Sequence, residues 1–143
     1  NRVDRRQRQM CIRDRIQSDG SNLLTWRDPR NFSETRRLAV HAGSTPLAQL
    51  NELEWINGWI VANVWRSDYV VGIDPASGCV RWKLSLHDLL DERERRSSDV
   101  LNGVAWEAAT QRIWVTGKRW PWLFGLRVEL PALGAAGREP CPG

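Results

Sequence analysis

From residue 23 onward, apolar residues come in short runs that polar turn sequences interrupt, a pattern typical of β-strands rather than of long helices. Leu86–Arg96 is the exception, because its apolar residues come early and its charged residues late, which predicts a short helix. The predicted strands are Leu23–Arg27, Arg37–His41, Leu50–Ile56, Trp59–Trp65, Tyr69–Ile73, Cys79–Leu84, Val100–Trp106, Arg112–Thr116 and Leu123–Val128.

The strand Leu50–Ile56 carries an unusual set of polar residues. Strict alternation predicts that Glu52 and Glu54 share one face and that Asn51 lies on the other, beside apolar neighbours. Two carboxylates on one face can shift each other's pKa and serve in proton transfer, although their spacing alone favours a solvated face of an outer strand. An amide on an apolar face needs a hydrogen-bond partner, which is either backbone or a ligand.

The dipeptide Asn57-Gly58 follows this strand and favours a type I′ hairpin turn. Trp59–Trp65, on the far side of the turn, is almost continuously apolar. The pair therefore predicts an antiparallel hairpin whose second strand is central and buried.

Two stretches of the sequence repeat at fixed offsets. Ser21–Pro29 is echoed 46 residues further on by Ser67–Pro75. The surroundings of Asn51 are echoed 51 residues further on around Asn102. A period of roughly 40–50 residues, built from short strands and tight turns, is typical of a β-propeller. We therefore predict an all-β fold, a partial β-propeller of about three blades with four-stranded antiparallel blades.

We divide the chain into three parts. Residues 1–14 are expected to be a non-native or disordered basic segment, because Gln9–Arg15 resembles a peptide translated from sequencing-adapter DNA. The alternative is a basic arm for nucleic acid or membrane. Residues 15–130 form the predicted partial propeller domain. Residues 131–143 are rich in Pro, Gly and Ala, which predicts a flexible tail.

Charge and cysteine content narrow the possible partners. The formal net charge is +4, and residues 1–15, with six Arg and two Asp, account for all of it. The remainder is near neutral, so we expect no nucleic-acid partner. No apolar run is long enough to predict a membrane span. Cys11, Cys79 and Cys141 are too few and too scattered for a disulfide framework or a metal site of paired ligands. Cys11 lies in the segment 1–14, so one pair at most remains.

Nine Trp in 143 residues exceed ordinary usage. Most lie inside predicted strands, where packing between blades explains them. Trp65, Trp120 and Trp122 differ, because they lie at strand ends beside polar turns, where a ring can form the wall of a pocket. Lys118 follows a glycine at the exit of another strand, and the repeat places it at the position of Trp65 on the next blade. If the strand ends face the channel, both residues line one pocket.

Five motifs taken together resemble the plant and bacterial type of glutaminyl-peptide cyclotransferase (glutaminyl cyclase). The resemblance runs from about Asp19 to Val128, in order and with fitting gaps. The motifs are NELEW (51–55), ANVW (62–65), IDPASG (73–78), VLNGVAW (100–106) and TGKRWP (116–121). The resemblance implies a five-bladed propeller, of which this chain would carry about three blades, and an acyltransferase reaction without a metal or other cofactor. In that reaction the α-amine of an N-terminal Gln attacks its own γ-carboxamide, and pyroglutamate and ammonia form.

The resemblance also implies site residues. It assigns Asn51 to substrate binding, Trp65 to the pocket wall and Lys118 to the pocket lysine, and we expect these three to carry catalysis. A further set is expected to contact the substrate: Glu52, Trp120 and Asn102. The family's catalytic Glu belongs to an earlier motif that this chain lacks, so we expect the chain alone to be inactive. Peptides or proteins with N-terminal Gln are the implied partners, for a secreted or periplasmic enzyme that is monomeric at full length.

Two other functions fit the same sequence. A non-catalytic propeller that binds peptides or proteins would also use a Trp-lined channel mouth. A propeller lactonase or similar metal-dependent hydrolase would need Asp, Glu and Asn ligands around an ion, and the motifs do not resemble that group. The sequence does not indicate the natural peptides or the source organism.

Overall fold

The computed structural model describes residues 15–133 and 140–142, and it is built almost entirely of β-strands. The strands are β1 (Arg15–Ser18), β2 (Leu23–Arg27), β3 (Glu34–Ala39), β4 (His41–Ala42), β5 (Thr45–Pro46), β6 (Leu50–Ile56), β7 (Trp59–Val64), β8 (Tyr69–Ile73), β9 (Val80–Ser85), β10 (Leu101–Glu107), β11 (Arg112–Gly117) and β12 (Phe124–Arg127). No helix in this part of the chain is long and apolar enough to cross a membrane.

The strands form three antiparallel sheets in chain order. These are β1-β2-β3, β6-β7-β8-β9 and β10-β11-β12, and a small β4-β5 pair contacts β9 of the middle sheet. The edge strand β6 contacts both β1 and β10, so the middle sheet lies between the other two. This arrangement is that of consecutive propeller blades, as predicted. Among the described residues only the middle blade has the predicted four strands, and each of the others has three.

Hydrogen bonds confirm the 46-residue repeat. Val40 N donates to Asn22 O, and the counterpart 46 residues on is Leu86 N donating to Asp68 O. The two Asp-Pro turns match as well, because Asp28 and Asp74 each accept a bond on Oδ1 from the backbone N–H two residues later, at 2.8 and 2.9 Å. The first and second blades are therefore copies of one repeating unit. β2 and β3 of the first blade are equivalent to β8 and β9 of the second.

Local chemistry explains where the elements turn. Asn57 and Gly58 have φ of 49° and 92°, so the turn predicted after β6 has the left-handed conformation that type I′ requires. The predicted helix is divided into a 3₁₀ turn (His87–Leu89) and helix α1 (Glu92–Ser97). Asp91 separates the two, because its side chain accepts from Glu94 N and forms a capping box at the start of α1.

The middle blade packs on both faces. One face, together with the first blade, encloses a cluster that includes Leu24, Leu50 and Ile60. The other face, together with the third blade, encloses a cluster that includes Trp59, Val104 and Ile113. Every residue of β7 is buried, as its apolar run predicts. Burial on both faces fixes the position of β7, to which β6, a strand of the candidate site, is hydrogen-bonded.

Several Trp rings cover glycines on neighbouring strands rather than packing only between blades. A Cβ added to Gly72 would enter the ring of Trp82, its partner across β8 and β9. Trp114 covers Gly125 in the same way across β11 and β12. Part of the high Trp content therefore fills space within blades.

The C-terminal segment returns to the middle blade. A disulfide joins Cys79 to Cys141, whose Cα atoms are 5.7 Å apart. In addition, the indole N–H of Trp59 donates to Pro131 O at 2.9 Å, and Arg81 donates to Pro140 O at 3.1 Å. The predicted basic segment 1–14 lies outside the described residues, as do residues 134–139, so the predicted domain boundaries stay predictions.

Candidate functional site

Two β-bulges shape β6 and β10 at one end of the blades. These are the first strands of the middle and third blades, and we call them the inner strands. On β6 the register shifts between Leu50 and Leu53, so Asn51 and Glu52 together face a single residue of β7. On β10 the same shift occurs between Leu101 and Val104. A bulge adds one residue to its strand and turns the local side chains away from strict alternation. The repeated bulge therefore places Asn51 and Asn102 at equivalent positions on adjacent blades.

Asn63 holds the two bulges together. Its side chain is 0% exposed. Its Oδ1 accepts from the N–H of Glu52 at 2.7 Å, and its Nδ2 donates to the carbonyl of Leu101 at 2.9 Å. A bulge interrupts the hydrogen-bond ladder, and Asn63 supplies a side-chain partner to a backbone group at each bulge. No motif marks Asn63 in the sequence, and the one signal of its role is a polar amide within an otherwise apolar strand.

The predicted placement of Glu52 and Glu54 opposite Asn51 is wrong. Glu52 Oε2 accepts from Val104 N at 3.0 Å, and Glu54 Oε2 accepts from Trp106 N at 3.3 Å. Both carboxylates thus bind backbone N–H groups of β10 in the next blade. Asn51 is directed toward the same blade, because the bulge breaks the alternation on which the prediction depended. The two acids therefore join the middle blade to the third blade.

The side-chain amides of Asn51 and Asn102 contact each other directly. Nδ2 of Asn51 donates to Oδ1 of Asn102 at 2.6 Å. The backbone carbonyl of Asn51 accepts from the hydroxyl of Ser18 at 2.5 Å, which ties the bulge to the first blade. Asn51 is therefore held from both neighbouring blades while its residue stays exposed.

Trp65 and Lys118 occupy equivalent positions, as the repeat predicts. Trp65 N donates to Gln49 O and Lys118 N donates to Val100 O, both at 2.9 Å. Each acceptor directly precedes the inner strand of its blade, so both residues lie at the same end. Trp65 is 42% exposed. The guanidinium of Arg66 lies 4.5 Å from its ring centroid, a cation–π contact.

A cavity of about 560 Å³ brings several of these residues together. Three of the predicted site residues line it: Asn51, Trp65 and Asn102. Lys118 is exposed and is not among the lining residues, and Glu52 reaches the neighbouring backbone instead. Trp120 lies elsewhere, since its indole N–H donates to Asp99 O at 2.9 Å and its ring packs edge-on against Phe124.

One carboxylate in the cavity wall was missed by the sequence analysis. Asp19 belongs to the turn after β1 and lines the cavity. Hydrogen bonds from the hydroxyl and then the backbone N–H of Ser21 hold the pKa of Asp19 below its ordinary value. This exposed carboxylate therefore stays ionised near neutral pH, which suits it to contact a cation rather than to deliver a proton.

The larger hollow in the described residues lies at the other end of the blades. It has a volume of about 1060 Å³ and is lined by turn residues, among them Asn57, Thr110 and Gln111. None of the predicted site residues lines it, so its size does not make it the site. Within the described ranges, no three His, Cys, Asp or Glu side chains are grouped so that they could hold a metal ion.

The fold and cavity define a β-propeller with a Trp- and Asn-lined pocket at one end of its inner strands. Comparison with known proteins agrees. The family model described as glutamine cyclotransferase matches residues 10–128. The glutaminyl-peptide cyclotransferase of Arabidopsis thaliana is 38% identical over 115 residues, which are 78% of this chain and 36% of that protein. The crystal structure of Myxococcus xanthus glutaminyl cyclase is 36% identical with a TM-score of 0.70, over 79% of this chain and 50% of that one.

The chain belongs to the glutamine cyclotransferase family. The matched range begins at residue 10, so it includes five residues of the segment 1–14 that lie outside the described part. The chain spans about a third to a half of the length of the relatives that it matches.

Proposed function

We propose that this chain forms part of the propeller of a glutaminyl-peptide cyclotransferase, which converts the N-terminal Gln of peptides to pyroglutamate. The observation that carries the proposal is the convergence of Asn51, Trp65 and Asn102 on one cavity. These residues come from three of the motifs that resemble the family, and they are spread over the length of a blade in sequence. Membership of the family supports the same activity.

The reaction places clear demands on such a cavity. The nitrogen of the α-amine forms a bond to the γ-carbonyl carbon, and the bond from that carbon to the carboxamide nitrogen breaks. The proton lost by the amine must reach the departing nitrogen so that it leaves as ammonia. The site must therefore hold the Gln side chain folded back on its own amine. It must also stabilise the oxyanion and move one proton.

We assign the first two tasks to residues of this chain. The exposed ring of Trp65 would form an apolar wall for the methylene groups of Gln, and Asn51 would hydrogen-bond its polar end. Lys118 lies at the equivalent position on the next blade, and its ammonium makes no hydrogen bond or ion pair within the described residues. Its charge would stabilise the oxyanion.

We assign the proton transfer to a group outside the described residues. Glu52 and Glu54 already accept backbone hydrogen bonds from the next blade. Asp19 has a lowered pKa and is a poor proton donor at neutral pH. We therefore propose that the 143-residue chain alone has no cyclase activity. Activity would require the remainder of the propeller.

We also propose export from the cytoplasm and a monomeric full-length enzyme. The disulfide between Cys79 and Cys141 supports export, because disulfides persist in oxidising compartments. Peptides and proteins with an N-terminal Gln are the proposed substrates.

A graft tests the proposed activity. The aligned segment of Myxococcus xanthus glutaminyl cyclase is replaced by the matching residues of this chain, and ammonia release from a Gln-initiated dipeptide is measured. We expect turnover by the graft and none by the 143-residue chain. Lys118→Met should lower turnover on the order of 10²-fold, the typical effect of losing one oxyanion contact. Arg119→Met, an adjacent exposed cation in the same turn, is the matched control and should change it little.

Two results would contradict the proposal. A folded graft that binds the dipeptide but releases no ammonia would favour the non-catalytic peptide-binding propeller. Equal losses of turnover from Lys118→Met and Arg119→Met would show that only the positive charge after β11 matters and that Lys118 has no specific role.

A further inference from the structure

We propose that Asn102 is a positioning residue, which fixes the side-chain amide of Asn51 so that Asn51 meets the substrate as a hydrogen-bond acceptor. The inference rests on the proposed function and specifies which atom of Asn51 contacts the substrate. It starts from the bond of 2.6 Å between Nδ2 of Asn51 and Oδ1 of Asn102.

The bond leaves the two ends of the Asn51 amide in different states. A carboxamide has two N–H donors and one oxygen acceptor. Asn102 engages one of the N–H donors, whereas Oδ1 of Asn51 has no hydrogen-bond partner among the described residues. Asn51 lines the cavity, so its free oxygen is available there to an N–H group. The α-amine and the γ-carboxamide of an N-terminal Gln both supply such a group.

Contacts around the pair fix its geometry. The Asn51 backbone is held by Ser18 through its carbonyl and by Asn63 through the N–H of the following residue. Asn63 also holds the carbonyl of Leu101, the residue before Asn102. The two bulges are thus tied to each other by a buried side chain, which holds the backbone segments that carry the two amides. Groups held in advance lose little entropy when substrate binds.

Without Asn102, the amide of Asn51 would rotate freely between two orientations. A side-chain amide looks nearly symmetric to solvent, and only its hydrogen-bond network selects which end faces the cavity. Molecules in the rotated orientation would then present nitrogen where the substrate offers another N–H. Loss of a single hydrogen bond of this kind is worth about 0.5–1.5 kcal/mol, so we expect a decrease in turnover of about two- to tenfold.

NMR on the full 143-residue chain tests the orientation directly. The side-chain NH₂ signals of Asn51 are identified by their loss in Asn51→Ala. Asn31 supplies the reference, because it is exposed and uses its oxygen, not its nitrogen, to accept from Ser33 N. We expect the bonded Asn51 proton to lie downfield of the Asn31 signals and to exchange with water more slowly. Asn102→Ala should remove both differences, and Asn102→Asp, which keeps the acceptor oxygen, should preserve them.

Activity of the graft tests the consequence. Asn102→Ala should lower the turnover of a Gln-initiated dipeptide two- to tenfold. Signals of Asn51 that do not respond to Asn102→Ala would overturn the inference, as would turnover that is unchanged when those signals do respond. An unaltered graft without activity would instead overturn the proposed function and the substrate part of this inference, while the NMR result would still decide whether Asn102 orients Asn51.

Discussion

Asn63 donates a hydrogen bond to the carbonyl oxygen of Leu101 at 2.9 Å, across the boundary between two blades. The same side chain accepts from the N–H of Glu52 in its own blade. One buried amide therefore satisfies a backbone group in each of the two bulges that present Asn51 and Asn102. This relationship couples the stability of the blade interface to the geometry of the candidate site.

Removal of that amide should destabilise the fold. Asn63→Ala removes the side-chain partner of a part-buried N–H and of a buried carbonyl, and each loss costs about 1–3 kcal/mol. We expect the free energy of unfolding of the 143-residue chain to fall by about 3 kcal/mol in chemical denaturation. Asn31→Ala removes an exposed turn bond and is the control, with an expected loss of under about 1 kcal/mol. Equal losses for the two variants would show that Asn63 has no special role.

The disulfide should contribute strongly to stability. Cys79 and Cys141 are separated by 62 residues. Closing a loop of this length restricts the unfolded chain by about 4 kcal/mol in the loop-entropy treatment. Cys141→Ser should therefore lower the free energy of unfolding by about this amount, measured against the oxidised wild type. Under reducing conditions the two proteins should become equal, and a difference that persists there would contradict the disulfide as the cause.

Gly72 should not tolerate a side chain. A Cβ at this position would overlap the ring of Trp82, which in turn packs edge-on against Trp59 at 6.2 Å between centroids. We expect Gly72→Ala to cost about 1–3 kcal/mol, the usual penalty of overpacking. The cost should shrink in a Trp82→Ala background, because the obstructing ring is then gone. Purely additive effects in this double-mutant cycle would contradict the contact.

Glu107 should make the β10–β11 turn sensitive to acid. Its carboxylate accepts from the hydroxyl of Thr110 and from the indole N–H of Trp114, and these bonds lower its pKa below the ordinary value of 4.5. A depressed folded-state pKa gives stability that is complete above the unfolded pKa and is lost as pH falls through the folded one. The indole N–H signal of Trp114 should therefore titrate below pH 4.5. In Glu107→Gln it should not titrate, and an identical curve in both proteins would contradict the assignment.

The sequence predicted those parts of the fold that local patterns or repeats determine. The turn at Asn57-Gly58 follows from two residues that adopt positive φ, and the equivalence of Trp65 and Lys118 follows from the repeat. The bulge at Asn51 could not be predicted, because an extra residue is recognised only against the partner strand. This is why alternation put Asn51 on the wrong face.

Sequence patterns could not predict long-range hydrogen-bond and disulfide partners, for the same reason. Glu54 binds a backbone N–H of the next blade, 52 residues away. Any residue type supplies such an N–H, so no motif marks the partner. The pairing of Cys79 with Cys141 likewise depends on where the segment after β12 returns to the middle blade.

The central claim is that Asn51 acts on the substrate whereas its neighbour Glu52 only joins two blades. In the graft, pyroglutamate formation from a Gln-initiated dipeptide compares Asn51→Ala with Glu52→Gln, two changes in one bulge. We expect Asn51→Ala to lower turnover on the order of 10²-fold. Glu52→Gln keeps an oxygen for the N–H of Val104 and should stay within about threefold of the unaltered graft. Turnover abolished by Glu52→Gln and retained in Asn51→Ala would contradict the account, because the proton shuttle would then lie in this strand.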